Sequence, residues 1–401
     1  MIQEKNIVIV GGGFAGVETA NVLEKELTRS NDSQYRIILI EKKTHFYHAI
    51  AGLRSAVIDW DQQILVPYTN LFKSDKHRVI QASAVQFEKN HIVLDRKVQG
   101  FGSSIPFDYL ILATGTKRHP PAQSLATDIE DIRNDLHQTR QRIQSAKSIL
   151  IVGGGPVGFE LTGEIRDAYE DKEITLIHSN NRLFSSSTTN VKLSERGLAL
   201  LQRNNVKVIL NDRIETSPGH DPKGSMYQPE QGIVKTKLGK TLTGIDLVLV
   251  AFGDRPQTEW LKNSTIGNSI LSESGYIKVR PTFQVDHPEL SHVFVIGDAA
   301  DFSETKHGYR IKDHVPPLVK NLLQLALLND DKLKGRYKKK YDAMMVTFGK
   351  KQGVGLLPLF GGIVVESWVV GRLKSGTLFY KMVWENLNLE PPVVSFPPPL
   401  S

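Results

Sequence analysis

Runs of consecutive apolar, mostly β-branched residues alternate along this chain with stretches whose apolar positions recur at helical spacing. That is the pattern of strands and helices layered as α/β structure with parallel sheets. The first run, residues 7–10, passes through Gly11, Gly12 and Gly13 into Phe14, Ala15 and Gly16, and residues 17–27 then read as a helix. A second strand, residues 37–40, closes on Glu41. The same grammar returns at residues 149–152, followed by Gly153, Gly154, Gly155, Pro156, Val157 and Gly158. Both copies have the order strand, G-x-G-x-x-G, helix, the context in which the fingerprint carries meaning. Glycine allows the tight turn and the close approach of backbone N–H groups to a pyrophosphate, whose charge then faces the positive end of the helix. Two copies so far apart predict two dinucleotide sites. Glu41, ending the second strand, suits the hydroxyls of a ribose, although the loop 28–34 lengthens the usual interval of about 20 residues.

Three further strand patterns organise the rest. Residues 109–112 run into Ala113, Thr114 and Gly115, and residues 247–250 into Ala251, Phe252 and Gly253; each reads as a crossing between domains. Residues 293–296 then end in Gly297 and Asp298. The expected fold is therefore two Rossmann-like dinucleotide-binding domains, the second inserted in the first, plus a small C-terminal α+β piece. Residues 1–118 and 256–332 would form the first domain, 119–255 the second and 333–401 the last. Val315-Pro316-Pro317-Leu318 is expected to open a helix through Leu328, because proline suits a first helical turn. Residues 356–370 are the most apolar stretch, too short and too interrupted to span a bilayer and expected to bury against the first domain. Phe379, Met382, Val383 and Leu387 have helical spacing, with Tyr380 and Trp384 flanking, which would suit a membrane interface. Pro391-Pro392 and Pro397-Pro398-Pro399 read as an extended, mobile end.

Composition narrows the chemistry. The chain has 401 residues and no cysteine. Dithiol relays, Fe–S clusters and thiolate zinc sites are thereby excluded, so electrons would have to leave by direct contact with a small acceptor. Twelve histidines show no HExxH frame or helical i, i+4 pairing, so no metal site is expected; His48 and His314 are the two worth watching. The net charge is +7, with basic residues clustered at Lys332, Lys334, Arg336, Lys338, Lys339 and Lys340. A solvated helix face, an anionic membrane surface and nucleic acid all remain readings of that cluster. No secretory pattern or N-myristoylation signal is expected, since Ile2 stands where glycine would be needed.

The ordered motifs resemble the superfamily of flavoproteins with two dinucleotide-binding domains. Within it, Phe46 to Arg54, Ile174 to Ser179 and Gly371 to Phe379 resemble the ferroptosis-suppressor and apoptosis-inducing-factor-2-like proteins, relatives of type II NADH dehydrogenases. The resemblance implies FAD in the first loop, held by Gly11, Gly12, Gly13, Phe14, Ala15 and Gly16. Glu41, Arg54 beside the pyrophosphate, Ala82 at the adenine, Thr114, Gly115 and Asp298 would complete that site. NADH or NADPH would lie on Gly153, Gly155 and Gly158, with His178 ending the neighbouring strand. No acid stands there and Arg182 lies in the same loop, so use of both nucleotides is expected. Glu160, Glu164, Lys374 and Phe379 would serve catalysis, tuning transfer at the flavin and lining an acceptor pocket. Each also has a plain structural reading, as helix acid, surface cation or core ring, and Asp298 has one as a turn residue. The helix after Pro316 would point its N-terminus at the flavin. The implied activity is quinone reduction by NAD(P)H at a membrane surface, in cytoplasm or mitochondrion, with a homodimer compatible and nucleic acid disfavoured. The alternative is a redox-sensing protein of the apoptosis-inducing-factor type, with slow turnover and partner binding.

Overall fold

The computed structural model describes residues 4–185, 188, 190–215, 226–340, 343–358 and 362–394. Pro397, Pro398 and Pro399 lie outside them. Two parallel sheets of similar design dominate. In the first, β1 (Lys5–Val10), β2 (Tyr35–Glu41), β3 (Arg78–Gln81) and β4 (Tyr109–Leu112) are joined much later in the chain by β9 (Val293–Val295). Their spatial order is β9-β4-β1-β2-β3, all parallel. In the second, β5 (Ser148–Val152), β6 (Glu173–Ile177), β7 (Val206–Ile209) and β8 (Leu247–Val250) pair in the order β7-β6-β5-β8, with Met226–Tyr227 antiparallel at the edge. The second unit is thus inserted between strands of the first.

The β-branched runs behave as central strands buried on both faces should. Ile7, Val8 and Ile9 are fully buried, as are Ile149, Leu150 and Ile151. Each first strand feeds a helix, α1 (Phe14–Arg29) and α3 (Pro156–Ala168) respectively; α2 (Ile129–Ser145), capped by Asp128 on the Glu130 N–H, precedes the second sheet, and α4 (Val191–Arg203) joins β6 to β7. Pro156 takes the first-turn position of α3, where its missing N–H would be unpaired anyway.

Three expectations change here. The helix carrying Pro316 and Pro317, α5 (Ile311–Leu328), starts five residues before Pro316, because a 3₁₀ turn at Gly308–Arg310 feeds it. Both prolines therefore lie inside it. The apolar stretch near residue 356 packs on the second unit, not the first. It belongs to an antiparallel sheet of β10 (Met344–Phe348), β11 (Gln352–Leu357) and β12 (Ile363–Val365). Val346, Phe348 and Leu356 share a core with Phe159 and Ile165 of α3, and the Phe159 and Phe348 rings lie 5.4 Å apart. Finally, the apolar side of α6 (Tyr380–Asn386) is not open to lipid. Val383 and Leu387 are buried in the core of the first unit, Trp384 Nε1 donates to the Gln63 carbonyl at 3.1 Å, and Asn21 donates to the Asn386 carbonyl at 2.7 Å. Among the described residues no helix is long and apolar enough to cross a membrane.

Candidate active site

The first glycine loop has the shape its sequence demands. Gly11 sits at φ +108°, a region closed to most side chains, and a Cβ there would lie 2.5 Å from the Ala113 carbonyl oxygen. Glu41 Oε2 accepts the Gly12 N–H at 2.6 Å, and the Tyr68 hydroxyl donates to the Gly12 carbonyl at 2.7 Å. A Cβ at Gly13, by contrast, would meet nothing within 4 Å. That open space beside backbone N–H groups at a helix start is what a diphosphate needs. Gly11, Gly12, Gly13, Phe14, Ala15, Glu41, Thr114, Gly115 and Asp298 line one continuous cavity. A neighbouring cavity brings Glu41, Ala82 and Thr114 together with Trp260. Gly16 plays a different part: a Cβ there would fall 1.8 Å from the Gly11 carbonyl oxygen, so it lets helix and turn touch.

The second loop repeats this construction. Gly153 has φ +122°, a Cβ on Gly158 would lie 1.9 Å from the Gly153 carbonyl oxygen, and Gly155 opens on empty space. Here His178 takes the place of Glu41: its Nδ1 accepts the Gly154 N–H at 3.1 Å. Burial lowers the imidazole's pKa and keeps that nitrogen free to accept.

Between the two loops lies a chamber of about 530 Å³. Pro156, Val157 and Glu160 enter it from α3, Ala49, Ile50 and Leu53 from the first unit, and Met344, Met345 and Val346 from β10. Glu160 and Lys374 meet inside, Lys374 Nζ donating to Glu160 Oε1 at 2.8 Å and to the Met345 carbonyl at 2.7 Å. Glu160 also accepts the Thr347 N–H at 3.1 Å. Phe379 lines the same chamber from a left-handed backbone at φ +61°, directly after Leu378 at φ +47°. Two bulky residues in succession there mark a locally strained turn. The Leu378 carbonyl accepts from Nε2 of fully buried His48 at 2.6 Å.

Two expected site residues stand elsewhere. Arg54 is fully buried and lines none of these cavities. Its guanidinium pairs bidentately with Glu164, at 2.9 Å on both oxygens, and donates to the carbonyls of Ser375 at 2.6 Å and Gly376 at 3.1 Å. Its charge is thus spent on Glu164, one turn along α3 from Glu160 and outside the lining of the chamber. Arg54 does not line the cavity of the first loop, and Glu164 does not line the chamber. His314, the other histidine singled out, is buried with Nε2 3.0 Å from Glu304 Oε1. Lys306, which nothing in its local sequence marks, lines both the chamber and the first cavity. Burial lowers its pKa, and the Asp298 carboxylate opposes that shift.

Two Rossmann units, one inserted in the other, each with an open phosphate turn, facing across a chamber built partly by a third element, define a two-dinucleotide oxidoreductase. The chain belongs to the pyridine nucleotide-disulphide oxidoreductase family, whose model matches residues 5–324. It is 30% identical to apoptosis-inducing factor homolog A of Dictyostelium discoideum over 98% of this chain and 94% of that one. It is 29% identical to ferroptosis suppressor protein 1 of Homo sapiens over 96% and 97% of the two chains. Among solved structures it resembles the sulfide:quinone oxidoreductase of the bacterium Aquifex aeolicus, with a TM-score of 0.71 at 17% identity, covering 96% of this chain and 92% of that one. The chain is an FAD-dependent NAD(P)H oxidoreductase.

Proposed function

We propose that the acceptor is a quinone and that the chamber is where it is reduced. The observation that carries this reading is the Glu160–Lys374 pair, its side chains 14% and 13% exposed, set beside Ala49, Ile50, Leu53, Met345 and Val346 in a chamber whose other ion pair, Arg118–Asp254, is more open to solvent. An apolar ring with two oxygens needs such a setting, an oily slot with a cation and a proton-bearing group at one place. The first cradle fits FAD, with Gly12 and Gly13 toward the diphosphate, Glu41 and Ala82 toward the adenosine and Asp298 toward the ribityl chain. The second, on Gly153, Gly155, Gly158 and His178, fits the nicotinamide nucleotide. When bound, the flavin supplies a ring that takes up hydride and releases two electrons. The rest falls to this chain. Pro156 and Val157 exclude water from the meeting point, and Phe379 walls the slot. Lys374 holds positive charge where negative charge develops on an acceptor oxygen, and Glu160 fixes Lys374 Nζ and exchanges its proton.

Lys374→Met and Glu160→Gln should each reduce turnover of a short-tailed ubiquinone by about 10²- to 10³-fold, the usual range for losing one such stabilising group. FAD content and flavin reduction by NADH in stopped flow should be retained. Full quinone turnover in both variants would remove the reading. The same stopped-flow trace weighs the rival sensor role, for which reduced protein would persist in the presence of quinone.

A further inference from the structure

Residues 329–340 run without helix or strand back along α5, so the basic cluster is not on a helix. The segment is fastened down along its length. Gln324 Nε2 donates to the Lys332 carbonyl at 2.9 Å. Asn321 donates to the Gly335 carbonyl at 2.6 Å and accepts the Gly335 N–H at 2.8 Å. The Tyr337 N–H donates to the Pro281 carbonyl at 2.8 Å, its hydroxyl bonds Glu304, and its ring packs against Phe302 and His314. Gly335 is buried and Leu333 and Tyr337 are half-buried, whereas Lys332, Lys334, Arg336, Lys338 and Lys340 are all exposed, as is Lys339. Among the described residues, the ion pair these six make is that of Lys340 with Asp313. The result is a preordered ladder of cations, which pays little entropy on docking.

The ladder ends beside the chamber. Arg310 Nη2 donates to the Lys340 carbonyl at 3.0 Å, and the Ala343 N–H donates to the Tyr309 hydroxyl at 2.9 Å. Tyr309 and Ala343 both line the chamber.

We infer that this ladder docks the enzyme on an anionic lipid bilayer and sets the chamber beside an acceptor dissolved in the lipid. The inference rests on the reading of the chamber as a quinone site and names the surface that brings enzyme and acceptor together. Nucleic acid would satisfy the charges alone. A bilayer satisfies both the charges and the apolar chamber next to them, because a lipophilic acceptor concentrates there.

The test is co-sedimentation of holoenzyme with phosphatidylcholine vesicles, with and without phosphatidylserine, comparing wild type with the triple variant K334Q/R336Q/K338Q. These side chains lie outside the chamber, so turnover of a short-tailed quinone in solution should not change. Each basic side chain near an anionic surface is worth about fivefold in binding, so the triple variant should bind about a hundredfold more weakly. Wild-type binding should also fall as salt shrinks the Debye length from about 10 Å at 0.1 M to about 3 Å at 1 M. Equal binding by variant and wild type, or equal binding to neutral and anionic vesicles, would overturn the inference. So would tighter binding to a single-stranded oligonucleotide than to anionic vesicles at the same salt. A wild type inert toward the short-tailed quinone would instead overturn the quinone reading, and vesicle binding would still decide the docking surface.

Discussion

Breaking the Arg54–Glu164 pair from one side should cost more stability than any single change in the chamber. Arg54 is 0% exposed and Glu164 4%, so Arg54→Met leaves a carboxylate buried with no cation and strips the Ser375 and Gly376 carbonyls of their donor. Removing one member of such a pair costs about 3–5 kcal/mol, whereas replacing both by apolar residues is often neutral. An unfolding entropy of roughly 2.1 cal/mol/K per residue turns 4 kcal/mol, over a chain of this length, into a Tm drop of about 5 °C. Glu164→Leu should fall by a similar amount, and the double variant R54M/E164L should recover most of the loss, giving a coupling energy of about 3 kcal/mol or more. The assay is thermal and urea unfolding of the FAD-loaded protein, with FAD affinity measured alongside. A pyrophosphate ligand would behave otherwise: Arg54→Met would release FAD, Glu164→Leu would leave binding and stability untouched, and the two effects would simply add. That outcome would refute the ion-pair account.

Two further expectations concern the loops and a buried histidine. Gly13 and Gly155 have extended backbones, φ −74° and −78°, that any residue can adopt, and open space at Cβ. Gly13→Ala should therefore keep the fold while weakening FAD by about 5- to 150-fold, the cost of intruding into a filled site, and Gly155→Ala should do the same to the KM for NADH with FAD intact. His48 is fully buried, and burial lowers its pKa from 6.5 to about 4. The folded protein thus holds it neutral while the unfolded chain takes up a proton between those values, so its contribution is complete above pH 6.5 and drains away toward pH 4, about 3 kcal/mol in all. In urea titrations between pH 7 and 4.5 the difference between wild type and His48→Gln should follow that slope, and a pH-independent difference would disprove it.

What was legible in the sequence is what is local. A glycine loop announces itself because strand, turn and helix occupy a dozen consecutive residues, and Gly16 and Gly158 each answer to a carbonyl five positions back. Glu41 was legible for the same reason, as the last residue of the adjacent strand. Arg54 was not, because its partner lies 110 positions away and nothing near Arg54 distinguishes a guanidinium bound for a phosphate from one bound for a buried carboxylate. The spacing of Phe379, Met382, Val383 and Leu387 marks an amphipathic segment, yet Val383 and Leu387 bury in the first unit, since periodicity says that a face is apolar and not what covers it.

The basic run sharpens the same point. Lys332, Lys334, Arg336 and Lys338 alternate with Leu333, Gly335 and Tyr337, a period of two that fits an extended segment better than a helix. What made a helix face plausible was charge density; what decides against it is the demand of the intervening positions. Gly335 gives room for a backbone hydrogen-bond pair with Asn321, where a Cβ would meet Asn321 Oδ1 at 2.7 Å, and Tyr337 must reach buried Glu304. Every second residue is therefore committed to the body, and the basic residues between them are left to solvent. Glu304 lies in the loop that also supplies Lys306 and Tyr309 to the chamber. The anchor of the cationic ladder and a wall of the chamber are consequently one packed unit, so a load on the ladder acts beside the site of chemistry rather than at a remote surface.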